Sequence, residues 1–246
     1  VPVKVQLLGQ HADWLAENAY RAIELGSHGV DLNFGCPAKT VNKSKGGAIL
    51  LREPETIYNI VSVVRQAVPK EHTVSVKMRL GFDDTSLAIA NAQAIADAGA
   101  DSLVIHARTK VDGYKPPAYW DWIAKIKQYV DIPIVANGEI WNNHDALNCQ
   151  RQSQCENIML GRGALAMPNL AQVIKNHKAH MPWEEVKGLL VRYSGYELFG
   201  DKGKYYPNRV KQWLGYLSRQ YPEAEALFLR IRALKSADEI LQQIRS

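Results

Sequence analysis

The chain has 246 residues, 46% hydrophobic and 22% charged, with a formal net charge of +5; that suits one large domain, or one domain plus a small one. No run is long and apolar enough to span a membrane, and no basic-then-apolar signal segment opens the chain. Three cysteines, Cys36, Cys149 and Cys155, are too sparse and too odd in number for a disulfide framework, which points to a reducing, cytoplasmic setting.

The first segment, Val3 to Leu8, is apolar and β-branched, and the spacing predicts a strand with Gln6 near its end. In "ADWLAENAYRAIELG" the apolar positions return at helical spacing, and Gly26 suits the C-terminal cap. A second strand, Val30 to Phe34, alternates and runs into "GCP". Cys36 therefore sits in a tight turn at a strand end, either as a small core residue or as a reactive thiol. The loop behind it is basic in Lys39, Lys43 and Lys45. Pro54 fits the first turn of a helix whose face is Ile57, Ile60, Val61, Val64 and Val68.

Val74 to Leu80 reads as the third strand, and it carries Lys77 and Arg79 on one face. A buried face does not readily accept two cations unless a ligand or carboxylates meet them. "DTSLAIANAQAIADAGA" predicts a helix capped by Asp84 or Thr85 and ended at Gly99. The strand Ser102 to His106 repeats the polar device with His106 and Arg108. Pro133 to Ala136 leads into Asn137, Gly138 and Glu139, and Asn157 to Leu160 leads into Gly161, Arg162 and Gly163. Two glycines there let the backbone approach a ligand, the helix start offers free N–H groups, and Arg162 adds a bidentate contact. The plain alternative is two turn glycines beside a surface arginine. Cys149 and Cys155 lack the spacing of a zinc site, and no metal is expected.

Strand and helix thus alternate six times, which predicts a parallel sheet with helices outside. A doubly wound sheet and a (β/α)₈ TIM barrel both alternate this way. The barrel is favoured because Gln6, Asn33, Lys77, Arg79, His106, Arg108, Asn137 and Arg162 all fall at or just after C-terminal strand ends, where barrel sites collect. A closed barrel needs eight strands, so the first two are expected to be missing from this chain. Beyond residue 174 only helical patterns follow, ending in "SADEILQQI", where Ser236 and Glu239 have capping-box spacing. The expected division is a barrel over 1–174 and a small all-α domain over 175–246. The first part holds 17 basic and 17 acidic residues and the second 13 and 8, so the tail carries the whole excess. A neutral body with a basic tail suits a polyanion partner, or equally a solvated helical surface.

Together the strand-end residues suggest a phosphorylated cofactor at the barrel mouth, with Cys36 facing it. A thiol, with an ordinary pKa of about 8.5, is a competent proton donor near neutral pH. In this company the chain resembles the tRNA-dihydrouridine synthases. "QLLG", "DLNFGCP", "KGGAILL", "VSVKMRLG", "VIHAR", "ANGEI" and "MLGRGAL" stand in that family's order, and the tail and "YKPPAYWDWI" look most like the bacterial C-type subfamily, which acts at uridine 16 of the tRNA D-loop. The resemblance implies an FMN-dependent reduction of uridine to 5,6-dihydrouridine with NADPH as reductant. Cys36 would protonate C5 of the uracil while flavin N5 passes hydride to C6. Asn33, Arg79, His106, Arg108 and Tyr114 would meet the uracil. Gln6, Lys77 and His106 would contact the flavin, and Asn137, Gly138, Glu139, Gly161 and Arg162 would hold its phosphate end. Without the first strands the chain is expected to bind flavin poorly.

The target base must leave its stack to reach a barrel mouth. Lys202, Lys204, Arg209, Lys211, Arg230 and Arg232, interleaved with Tyr205, Tyr206 and Trp213, are the expected tRNA contacts. No stable protein partner is expected, and the chain is read as a cytoplasmic monomer. Two rivals stand beside this: a flavin-dependent barrel oxidoreductase acting on a small molecule, and a non-catalytic tRNA-binding protein.

Overall fold

The structure is a computed structural model and describes residues 2–198 and 203–246. The chain opens with β1 (Val5–Leu7), α1 (Ala12–Glu24), β2 (Gly29–Phe34), a short α2 (Lys39–Lys43) and a 3₁₀ turn at Gly47–Arg52. Then come α3 (Pro54–Ala67), β3 (Thr73–Arg79), α4 (Ala88–Asp97), β4 (Ser102–His106) and α5 (Trp120–Ile126). Next are β5 (Ile134–Asn137), α6 (Asn143–Ser153), β6 (Ile158–Met159), α7 (Arg162–Ala166) and α8 (Leu170–Asn176). The last part holds α9 (Trp183–Leu198), a 3₁₀ turn at Gly203–Tyr205, α10 (Tyr206–Leu217), α11 (Pro222–Ile231) and α12 (Ala237–Arg245).

All six expected strands form, and they pair in parallel in the order β1-β2-β3-β4-β5-β6. An open sheet wound in sequence order, with helices returning the chain each time, is the geometry of a partial barrel. Its alternation is strict. Val30, Leu32 and Phe34 of β2, Val74, Val76 and Met78 of β3, and Leu103 and Ile105 of β4 are buried, as are the apolar faces of α1, α3 and α4. The opposite face is mostly polar, with Val104 and Val135 among its residues. The register sets Gln6 beside Asp31, Asp31 beside Ser75, Asn33 beside Lys77, Arg79 beside His106, and His106 beside Asn137. Because side chains alternate along a strand, these residues line one side of the sheet.

The helix ends mostly follow the local signals. Gly26 and Gly99 take φ of 93° and 89°, a left-handed cap that costs glycine little. Pro54 opens α3. The expected cap of α4 is a correction: the helix starts at Ala88, with Leu87 as its unassisted cap. Asp84 instead accepts from the backbone N–H and hydroxyl of Ser86, at 2.8 and 2.6 Å, spending its carboxylate on a local turn.

The chain separates into two compact units, Val1–Glu139 with Leu147–Met159, and Ile140–Ala146 with Leu160–Ser246. The expected boundary at 174/175 lies inside the second unit. After β6 the described residues form only helices and turns. The second unit has its own core of Val186, Leu190, Val210, Leu214, Leu227, Ile231, Ile240 and Ile244, closed by Tyr206 and Tyr221. Ser236 caps α12 by accepting the Glu239 N–H at 3.4 Å, as its capping-box spacing predicts. No helix among the described residues is long and apolar enough to cross a membrane.

Candidate active site

The first unit gathers its polar strand-end residues into a ladder of two hydrogen-bonded groups, one around Asp31 and one around Asn137. Gln6 donates to Asp31 Oδ2 at 2.6 Å and accepts from Asn33 Nδ2 at 2.8 Å. Ser75 donates to Asp31 Oδ1 at 2.7 Å. Lys77 Nζ donates to Asn137 Oδ1 at 3.1 Å, and Asn137 Nδ2 donates to the Met159 carbonyl at 2.8 Å. Barrel interiors are ordinarily filled by branched apolar side chains; here four strands turn amides, a carboxylate and a cation inward. Burial, together with repulsion from Arg79, lowers Lys77 to about 8 against some relief from Asp31. A lysine held there at a cost fits a ligand edge rich in carbonyls or negative charge.

Asp31 and Ser75 belong to this ladder, and the sequence analysis missed them. The signal was present: in "GVDLNF" the period of two puts Asp31 on the face of Asn33. Trp120, also missed, donates its indole N–H to the Gly138 carbonyl at 3.0 Å. Gly138 has φ of 123°, and a Cβ there would lie 2.9 Å from His106 Cδ2, so only glycine lets the chain pass this close.

Arg79 and Arg108 are both buried, and their donors are spent on protein. Arg79 donates from Nε to the Gly35 carbonyl at 2.8 Å, and from Nη1 to those of Thr109 and Gly113 at 3.0 and 2.9 Å. It also lies over the Tyr114 ring, 5.3 Å from its centroid. Burial lowers it from its ordinary value, partly offset by Tyr114. Arg108 pairs with Glu139, approaches His106 Nε2 at 3.5 Å and donates to the Pro117 carbonyl at 3.1 Å. His106 and Tyr114 rings lie 6.1 Å apart, and Tyr114 is 52% exposed, so it can meet an incoming group.

Cys36 follows β2 and is half-buried, whereas Cys149 and Cys155 are buried. Burial pushes the Cys149 thiol up to about 12 and raises Cys155 as well. They are structural, and Cys36 is the accessible thiol. Asn33 Oδ1 accepts the Gly35 N–H at 2.9 Å, so the asparagine at the strand end shapes the turn that presents Cys36.

Gly161 and Arg162 belong to the second unit. Gly161 caps α7, and Arg162 lies over the Trp141 ring, 5.1 Å from its centroid, with Arg219 over the same ring at 4.1 Å. Gly163 packs so closely that a Cβ would fall 2.0 Å from the Ile140 carbonyl oxygen.

The expected tRNA contacts divide. Lys204, Arg209, Arg230 and Arg232 are exposed, and Lys204 and Arg209 flank the Tyr205 ring at 5.0 and 6.0 Å. Lys211 is half-buried and donates to the Leu234 carbonyl at 2.5 Å. Tyr206 is wholly buried, because the register of α10 turns it to the core with Val210 and Leu214. Lys202 lies outside the described residues. No group of His, Cys, Asp or Glu among the described residues could hold a metal ion.

The dihydrouridine synthase (Dus) family model matches residues 1–245. The tRNA-dihydrouridine(16) synthase of Shewanella oneidensis is 56% identical over 241 residues, 98% of this chain and 76% of that protein. The proteins of the same name from Vibrio cholerae and Escherichia coli K12 are 52% and 50% identical over 245 residues each, covering 76% and 78% of their lengths and 99% of this chain. Among solved structures, histamine dehydrogenase from Rhizobium sp. 4-9 is similar with a TM-score of 0.53 at 16% identity, over 75% of this chain and 30% of that one. Morphinone reductase in complex with tetrahydroNAD is similar at 0.50 and 17%, over 69% and 49%. At such identity these two share the fold.

Proposed function

The chain belongs to the dihydrouridine synthase family, and on that premise we propose that it reduces uridine 16 of the tRNA D-loop to 5,6-dihydrouridine, using FMN and NADPH. The six strands then form most of a (β/α)₈ barrel, and the helices beyond it act as a small all-α tRNA-binding domain. Gln6, Lys77, His106 and Asn137 would hold the flavin ring, with Gly138 and Glu139 toward its phosphate end. The depressed, inward-facing Lys77 supports such a fit. A flavin held there would supply the hydride chemistry that reduction of the uracil needs.

The chain's own residues do the rest. Asn33 and Tyr114 orient the base. Arg108, paired with Glu139, holds His106 against it. Arg79 serves by position: it ties the Cys36 turn to the loop carrying Tyr114, through Gly35, Thr109 and Gly113. Cys36 gives its thiol proton to C5, and the thiolate is reprotonated from solvent. Lys204, Arg209, Arg230 and Arg232 meet tRNA phosphates.

The observation that carries this reading is the Cys36 turn, which presents the accessible thiol at the end of β2 beside the polar ladder. The test is incubation with FMN, NADPH and unmodified tRNA, read by mass spectrometry of the nucleosides. One D-loop uridine is expected to gain two hydrogens, and Cys36→Ala to lose most of that gain. NADPH consumption with unchanged tRNA would favour an oxidoreductase of small molecules.

A further inference from the structure

We propose that Asn42 is a positioning residue that sets where the Cys36 thiol stands. This rests on the role of Cys36 as proton donor, and it adds a residue outside the ladder and outside the strand ends. Asn42 lies on α2, six positions after the cysteine. Its Nδ2 donates to the Cys36 carbonyl at 3.0 Å and to the Ala38 carbonyl at 2.7 Å, while its Oδ1 accepts the Ile49 N–H at 2.8 Å. Both amide hydrogens and the amide oxygen are thereby used.

The surroundings leave this tie little support from packing. No residue of α2 is buried, so the short helix is held over the turn by hydrogen bonds and not by a core. The Ala48 N–H also reaches the Cys36 carbonyl, at 3.1 Å. Gly47, with φ of 68°, lets it do so: a Cβ there would fall 2.9 Å from the Cys36 carbonyl and 3.0 Å from its Cβ. From the other side Arg79 holds the Gly35 carbonyl. The cysteine is therefore held through two carbonyls, that of Gly35 by a sheet residue and its own by Asn42 together with the Ala48 N–H. On the sheet side Arg79 is buried and bonded to three carbonyls, whereas α2 buries no residue, so we place the control of the thiol's position on the Asn42 side. A proton donor must stand within hydrogen-bond reach of the carbon it protonates, and an error of about 1 Å can cost a hundredfold in rate.

The test is a double-mutant cycle in the flavin-loaded protein with Asn42→Leu and Cys36→Ala. Asn42→Leu is expected to slow uridine reduction by about 10- to 100-fold while KM for tRNA stays within about twofold. Reduction of the flavin by NADPH, which needs no thiol proton, is expected to keep its rate. The double variant is expected to be no slower than Cys36→Ala alone, since Asn42 acts through the cysteine. A separate readout needs no flavin or tRNA. The rate at which Ellman's reagent titrates Cys36 in the native protein should change by about fivefold or more, with Cys149 and Cys155 silent.

Equal slowing by Asn42→Leu in the Cys36→Ala background would overturn the proposal, as would an unchanged thiol titration with unchanged turnover. Full activity of Cys36→Ala would instead remove the proton-donor role itself, and the Asn42 proposal with it. Asn42→Asp, which keeps the Ile49 bond and loses both donated ones, carries the same cycle if Asn42→Leu does not fold.

Discussion

The inner face of the sheet is half-buried and the core of the helical unit is fully buried, and they are built from opposite materials. The sheet turns Asp31, Ser75, Lys77, Arg79, His106 and Asn137 inward and satisfies them with one another or with backbone carbonyls. The helical unit closes on aliphatic side chains and two tyrosines and leaves its basic excess outside. Burying polar and charged groups costs stability even when they are paired, whereas apolar burial supplies it. On the proposed function, the sheet interior takes the ligand and the helical core holds a binding surface in place.

The largest expected effect falls on chemistry alone. Cys36→Ala should lower the rate of dihydrouridine formation by about 10²–10⁴-fold while the unfolding midpoint stays put, measured by nucleoside mass spectrometry beside a thermal melt. The contrast between the two interiors sharpens with a matched pair. Arg79→Met leaves three backbone carbonyls without their donor and should cost about 3 kcal/mol in denaturant unfolding, together with activity. Leu214→Ala opens a cavity in the helical core and should cost a similar amount, about 2–5 kcal/mol, while turnover per folded molecule at saturating tRNA is retained. Loss of turnover in the folded leucine variant would break the division of labour.

A smaller effect is expected on the outer surface. Replacing Lys204 and Arg209 together with alanine should reduce the salt slope of tRNA binding by about 2, measured from affinity against ionic strength. An unchanged slope would remove these two from the interface.

The last expected effect is a pH dependence. Lys77 drops from 10.5 to about 8 in the folded chain, mainly through burial. Between those values the unfolded chain binds the extra proton, so folding stability rises with pH across the window. The contribution is full above 10.5 and lost as pH falls through 8. Lys77→Met should lack that rise, which the difference in unfolding free energy between variant and parent reads directly.

Much of this was legible from local pattern. Period two marked the strands, and the residues at their ends proved to share one face. Gly26, Gly99, Pro54 and Ser236 act where their backbone or capping preferences suggest, because each acts on its immediate neighbours. Asp84 shows the limit even there, since two local hydrogen-bonding options competed and the turn took the carboxylate.

What the sequence by itself determined is therefore the alternation of elements, the parallel sheet and the set of inward polar positions, all of which follow from periodicity along one strand or helix. Only the tertiary structure decided how those groups are spent. Arg79 looked like a ligand contact and is committed to carbonyls 30 and more residues away. Lys211 looked like an RNA contact and is tied to Leu234, while Tyr206 looked like a surface aromatic and fills the core. Asn42 gave no sign at all. Hydrogen-bond donors choose partners by proximity in space, and that proximity exists only once distant segments have packed.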